Sequence, residues 1–240
     1  MTFNGYGVSV NSMTLNKYSD TRWPLFVIVL AALSLCAGCA FFGSREEKSA
    51  QELAADGMEA FSEGKYRDAI ESFEQLRDWY PFSKFAILAE LKLADGHYHL
   101  EEYEEAIFAY EEFENLHPRN EATPYVVYQI GRCYFDQIDT IDRDQTTARK
   151  ALETFRRQLK QFPGSTYASQ SREHIKQCLR SLAGHDFYVG MFYYRAKRYP
   201  AALSRFKTIV TRYPDVGLHH EALAYIARCE ALIEKTSSKK

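Results

Sequence analysis

Four prolines divide this chain into copies of one unit. Pro81, Pro118, Pro163 and Pro214 each follow an aromatic or histidine residue: Tyr80, His117, Phe162 and Tyr213. Eight residues before each proline stands a ring (Phe73, Tyr110, Phe155, Phe206), and twelve before it an alanine (Ala69, Ala106, Ala151, Ala202). An aliphatic residue follows each alanine: Ile70, Ile107, Leu152 and Leu203. A small residue recurs upstream: Gly57, Ala94, Gly131 and Gly190. In three of the four copies a tyrosine lies three residues before the alanine: Tyr66, Tyr103 and Tyr199. Self-similarity of this kind means stacked supersecondary units, none of which buries its apolar face alone. Each position has a physical reason. The small residue on a first helix, A, and the alanine on a second, B, let two antiparallel helices approach closely. The ring fills the gap to the next pair. The proline has no N–H to donate, so helix B ends there.

The spacing is uneven. Copies one and two are 37 residues apart, two and three 45, and three and four 51. The third copy carries its extra residues between its helices, since Gly131 and Ala151 are 20 apart where Gly57 and Ala69 are 12 apart. The excess before copy four is a helical stretch over residues 165–182, with Ala168, Ile175, Cys178, Leu179 and Leu182 on one side. It is expected to run into helix A of copy four with a kink at Gly184. One more helix A, residues 218–234, follows Pro214. The offsets resemble the tetratricopeptide (TPR) pattern. The expected fold is therefore all-α, a TPR-type superhelix of about four and a half helical hairpins over residues 50–235, with a disordered Lys-rich tail at 236–240.

The N-terminus reads as a targeting segment. Residues 23–35, WPLFVIVLAALSL, are 13 apolar or small residues. A spanning helix needs about 20, whereas a signal-peptide core has this length. Lys17 and Arg22 supply the preceding positive charge, and Met13 is an alternative start to Met1. Ala37-Gly38-Cys39 then resembles the lipobox of bacterial lipoproteins, with Cys36 where that family usually has Leu. The resemblance implies a signal over residues 1–38, cleavage before Cys39, acylation of Cys39, and a lipidated flexible linker over 39–49. Two or three acyl chains anchor stably where one does not. Ala40 in place of Asp implies sorting to the outer membrane. A plain secretory signal with an incidental cysteine is the competing reading. Cys133, Cys178 and Cys229 each lie within a helical pattern and read as buried small hydrophobes. A Cys133–Cys178 or Cys178–Cys229 bridge stays open at this stage.

Apolar residues at 46% exclude disorder for most of the chain, and a net charge of −2 excludes a nucleic-acid binder held by bulk positive charge. No phosphate-binding glycine loop, HExxH or GxSxG motif is present. His97 and His99 point to different helix faces, and the adjacent His219 and His220 make no metal pair. Asp142, Asp144 and Glu153 resemble a calcium loop, but Thr147 stands where that loop needs glycine. Asp142 or Asp144 reads instead as an N-cap of the third helix B. No catalytic residue, metal or cofactor is expected.

A TPR superhelix lines its concave wall with helix A residues. The inward positions are Met58 and Phe61 in copy one, and Leu91, Asp95, Tyr98 and His99 in copy two. Copy three gives Tyr125, Tyr128, Arg132 and Phe135, and copy four Phe187, Met191, Tyr194 and Arg195. An aromatic wall with arginine suits an extended peptide carrying aromatic side chains and a carboxylate. The expected groove is Phe61, Tyr98, Tyr125, Tyr128, Arg132, Phe135, Tyr194 and Arg195. The competing reading for any one ring is packing between neighbouring helices.

A lipobox followed by a TPR array over residues 45–234 resembles the BamD family, the TPR lipoproteins of the β-barrel assembly machinery. Local matches are Tyr80-Pro81-Phe82, Asp142-Arg143-Asp144 with Ala148-Arg149, and residues 162–167, FPGSTY. The missing final helix B departs from the family pattern. The resemblance implies a periplasm-facing, lipid-anchored outer-membrane scaffold without enzymatic activity. It implies partners too: the POTRA domains of BamA, engaged through the C-terminal repeats with Arg205 as a contact, other assembly subunits, and unfolded outer-membrane proteins ending in an aromatic residue. Another TPR lipoprotein, such as a pilotin or a cell-division coordinator, is the alternative. An enzyme carried on repeats is disfavoured, because the repeats occupy almost the whole chain.

Overall fold

The computed structural model describes residues 47–238. Cys39, the expected signal at 1–38 and most of the linker lie outside the described residues. Among those described, every regular element is a helix: α1 (Ala50–Ser62), α2 (Tyr66–Trp79), α3 (Ala86–His99), α4 (Tyr103–Leu116), α5 (Thr123–Asp136), α6 (Thr146–Gln161), α7 (Ala168–Arg195), α8 (Tyr199–Arg212) and α9 (His219–Ser237). Each helix packs on its chain neighbours, and the one further pair of any extent among the described residues is α5 with α7. That nearest-neighbour pattern is a repeat array. The hairpins α1/α2, α3/α4 and α5/α6, then α7/α8, are copies one to four, and α9 is the half repeat.

The array opens on a capping box. Ser49 N–H donates to Glu52 at 2.8 Å and Glu52 N–H donates to Ser49 Oγ at 3.3 Å, so both chain groups are satisfied where α1 begins. Ala69, Ala106, Ala151 and Ala202 are all fully buried, as the register requires. The ring position reaches the next helix A as expected and also packs within its own hairpin. A methyl group on Gly57 would sit 2.7 Å from Phe73 Cε1, one on Gly131 2.6 Å from Phe155, and one on Gly190 2.7 Å from Phe206. Each ring thus lies over the small residue of its own hairpin, and it shares a core cluster with the next helix A. Any side chain at these three glycines would collide with a buried ring.

Three features differ from expectation. α7 is helical without interruption through Gly184; that glycine instead admits Ile141 of the copy-three insert, whose Cγ2 would lie 3.1 Å from a methyl there. The insert, residues 137–145, is tied to α7 by Ser181 Oγ donating to Gln145 Oε1 at 2.8 Å and by His185 Nδ1 to Ile141 O at 2.7 Å. α6 has Gln145 as its N-cap, with no side-chain cap of its own. Asp144 still accepts from Thr146 N–H at 2.9 Å, whereas Asp142 accepts from Thr140 Oγ1. Finally, α9 continues to Ser237, two residues into the stretch read as a tail. Cys133, Cys178 and Cys229 are free thiols with no exposure, and burial pushes the Cys133 and Cys178 thiols up to about 12.

Candidate functional site

The helix A wall is held together by a chain of polar contacts between copies. Its hub is Asp95, buried at 4% exposure on α3. It accepts from Tyr110 Oη at 2.7 Å, Tyr125 Oη at 2.8 Å and Lys92 Nζ at 2.8 Å. Gln129 Nε2 donates in turn to Tyr125 Oη at 3.2 Å. Burial, then the Asp95 carboxylate, hold both phenols above their ordinary range. Copy two is the only copy with tyrosine at the ring position, and its hydroxyl reaches this aspartate.

Beside the hub is a second cluster. Tyr98 Oη donates to Asp136 Oδ2 at 2.6 Å, and Arg132 Nη2 donates to Tyr98 Oη at 2.8 Å and to Asp136 Oδ2 at 3.1 Å. Arg132 Nε is buried with no partner among the described residues, and so is His174 Nδ1 on α7. The other nitrogen of His174 meets Tyr128 Oη at 3.2 Å, and Phe135 lies 4.5 Å from the same imidazole. Burial and the Arg132 charge lower the pKa of His174, favouring its neutral form.

The sequence-predicted residues therefore divide. Phe61 is half-buried among Tyr66 and His99, with Lys92 Nζ 4.5 Å from its ring centroid. Tyr98 and Arg132 meet on one stretch of wall, and Phe135, one turn along α5, packs on Phe155 and His174. Tyr125 is tied to Asp95, and Tyr128 is 6% exposed and stacked on Tyr167, so these two rings brace the wall rather than face out from it. Tyr194 sits apart in copy four, 5.2 Å from Tyr225, with Arg195 exposed beside it. Arg205 is not a free surface residue: its Nη1 donates to buried Asp186 Oδ1 at 2.9 Å, while Tyr213 Oη donates to Oδ2 at 3.0 Å. Asp95 was placed on the inner wall from sequence but not in the expected groove, and His174 and Asp186 were not singled out. The readable signal for Asp95 was Tyr110 standing where the other copies have phenylalanine.

The back of the array, on the helix B side, carries three successive grooves. The first lies between α2, α3 and α4, the second between α4, α5 and α6, and the third between α6, α7 and α8. The third is about 660 Å³ and is lined by Arg149, Arg156, Arg205 and Arg212 around Asp186. No described helix is long and apolar enough to cross a membrane.

An outer membrane protein assembly factor BamD of Caulobacter vibrioides is 30% identical over 199 residues, 82% of this chain and 65% of that protein. This chain thus spans less than two thirds of that relative's length. BamD of Rickettsia prowazekii is 29% identical over 202 residues, 81% of this chain and 80% of that one. The solved TPR2AB-domain:pHSP90 complex of yeast Sti1 aligns with a TM-score of 0.49 at 16% identity, covering 77% of this chain and 70% of that one. The profile of the YfiO family, described as outer membrane lipoprotein, matches residues 46–240, and the chain belongs to that family.

Proposed function

We propose that this protein is a lipid-anchored scaffold of outer-membrane β-barrel assembly, acylated at Cys39 and facing the periplasm. Its relatives carry the name of outer membrane protein assembly factors, and among the described residues its helices form hairpin repeats and a final half repeat. The concave wall binds the C-terminal signal of an unfolded outer-membrane protein. The observation that carries this reading is the Tyr98–Arg132 pair, where a part-exposed guanidinium lies 5.9 Å from the Tyr98 ring centroid. A terminal carboxylate would satisfy Arg132, a charge-assisted bond of the stronger kind. The adjoining ring would take a terminal aromatic side chain. The basic third groove, with Arg205 and Arg212 on its edge, is the surface for a POTRA domain of BamA.

The test is titration of the protein with a peptide ending in Phe, its Phe-to-Ala form and its C-terminal amide. Binding should weaken at least tenfold for each change, and Tyr98→Ala should erase the difference. Equal binding of all three peptides would overturn the reading. Palmitate labelling lost in Cys39→Ser, and BamA recovered on pull-down, test the anchor and the partner.

A further inference from the structure

The first two grooves on the helix B side are built from corresponding repeat positions, so each is a control for the other. The second, about 440 Å³, mixes charges of both signs: Arg157 bonds Glu114, and Lys150, which lies over the Tyr134 ring, lines it with Glu111 and Glu153. The third is basic. The first, about 460 Å³, is acidic and also apolar. Its rim carries Glu74, Glu104, Glu105 and Glu112, all exposed and none with a cation within 4.0 Å among the described residues. Of the cations near it, His97 bonds Glu102, His117 bonds Glu90, and Arg77 bonds Asp78 through Nε while its charge also reaches Glu74 and Glu112. Between the carboxylates, Phe108 is 70% exposed and Leu116 60% exposed, both lining the groove from α4. Large apolar side chains beside four carboxylates, of which Glu74 and Glu112 share the charge of Arg77 and Glu104 and Glu105 have no cation, gain little for folding. The like charges repel, and the ring and isobutyl group stay in water.

We propose that this first groove docks a cationic amphipathic segment of a partner protein. An aliphatic or aromatic side chain seats between Phe108 and Leu116, and Lys or Arg side chains meet the four glutamates. The groove runs along α4 from Glu104 to Leu116, about 18 Å at the helical rise, which accommodates roughly three turns of a partner helix. Its charge repels anionic lipid and nucleic acid, so a protein segment is the occupant. The inference is independent of the concave wall, which lies on the other side of α3.

The full chain should be titrated by fluorescence anisotropy with a 14-residue Lys/Leu amphipathic helical peptide and with its Glu/Leu counterpart. The Lys peptide should bind in a salt-sensitive manner and the Glu peptide at least tenfold more weakly. The pair Glu105→Lys with Glu112→Lys, and separately Phe108→Ser, should each weaken the Lys peptide at least tenfold. The same charge change in the second groove, Glu111→Lys with Glu153→Lys, should leave binding within twofold. All these positions except Phe108 are exposed charges, and helical circular dichroism checks that folding is intact. No binding of the Lys peptide, an equal loss from both charge-reversed pairs, or indifference to Phe108→Ser would each overturn the proposal.

Discussion

Copy two and copy four each bury one aspartate, and they hold it by different means. Asp95 is held by two phenols and a lysine, and these link α3, α4 and α5 across two copies. Asp186 is held by Tyr213 and by Arg205, whose side chain is 46% exposed. A neutral phenol inside the array has nowhere else to donate. A half-exposed guanidinium can turn to water or to another carboxylate. The same charge is therefore a fixed brace in one copy and an exchangeable latch in the other, lying in a groove of arginines.

The largest expected difference follows directly. Asp95→Ala leaves the Tyr110 and Tyr125 hydroxyls desolvated and should destabilise by about 3 kcal/mol. Asp186→Ala frees Arg205 into solvent and should cost about 1–2 kcal/mol. Urea denaturation of both variants measures this, and equal losses would break the distinction. Next comes Arg205→Glu, which sets a carboxylate against buried Asp186 and should cost about 2 kcal/mol. Loss of BamA binding by that variant alone would thus mix partner contact with local disruption. Arg212→Glu, a nearby surface change, should cost under about 0.5 kcal/mol and reports the groove cleanly.

The phenols also separate the two sites in alkali. Burial first, then the hydrogen bond that Tyr213 donates to Asp186, push Tyr213 up to about 12, and Tyr110 is raised well above its ordinary value. A group raised on folding contributes stability that is complete below its unfolded pKa, near 10 for tyrosine, and is lost as pH rises through the folded value. Stability should fall from about pH 10 to 12 and beyond. The decline should persist in both alanine variants, because burial remains, but be shallower in Asp95→Ala, which relieves two phenols. Chemical denaturation across that range checks it.

Much of this was legible in the sequence. The alanine, ring and proline register located every hairpin, because helix contact depends on side-chain size at fixed spacing. The groove was only half legible. Spacing places Tyr125 and Tyr128 on the inner side of α5, yet what occupies a ring there depends on Asp95, Tyr167 and His174 from other helices. Periodicity within one helix carries no information about those. Arg205 shows the same limit: its position facing away from Ala202 and Phe206 was readable, but Asp186, 19 residues earlier, was not identifiable as its partner.

The smallest expected effect tests how alike the copies are. In copies one, two and four the turn between helices A and B places one residue in the left-handed region, and copy one supplies Gly64 at φ 76°. Copy two places Glu101 there at φ 60° and copy four Lys197 at φ 58°. A side chain in this conformation costs roughly 1–2 kcal/mol, partly offset because glycine loses more entropy on folding. Glu101→Gly and Lys197→Gly should therefore each stabilise by about 0.5 kcal/mol, and Gly64→Ala should destabilise by about 1 kcal/mol. The turns are far apart in the array, so the two gains should add within about 0.3–0.5 kcal/mol. Thermal unfolding of the single and double variants would show it. If Glu101→Gly stabilises and Lys197→Gly does not, the turn of copy four is held by something beyond its backbone conformation, and the two copies differ in their turns as well as in their buried aspartates.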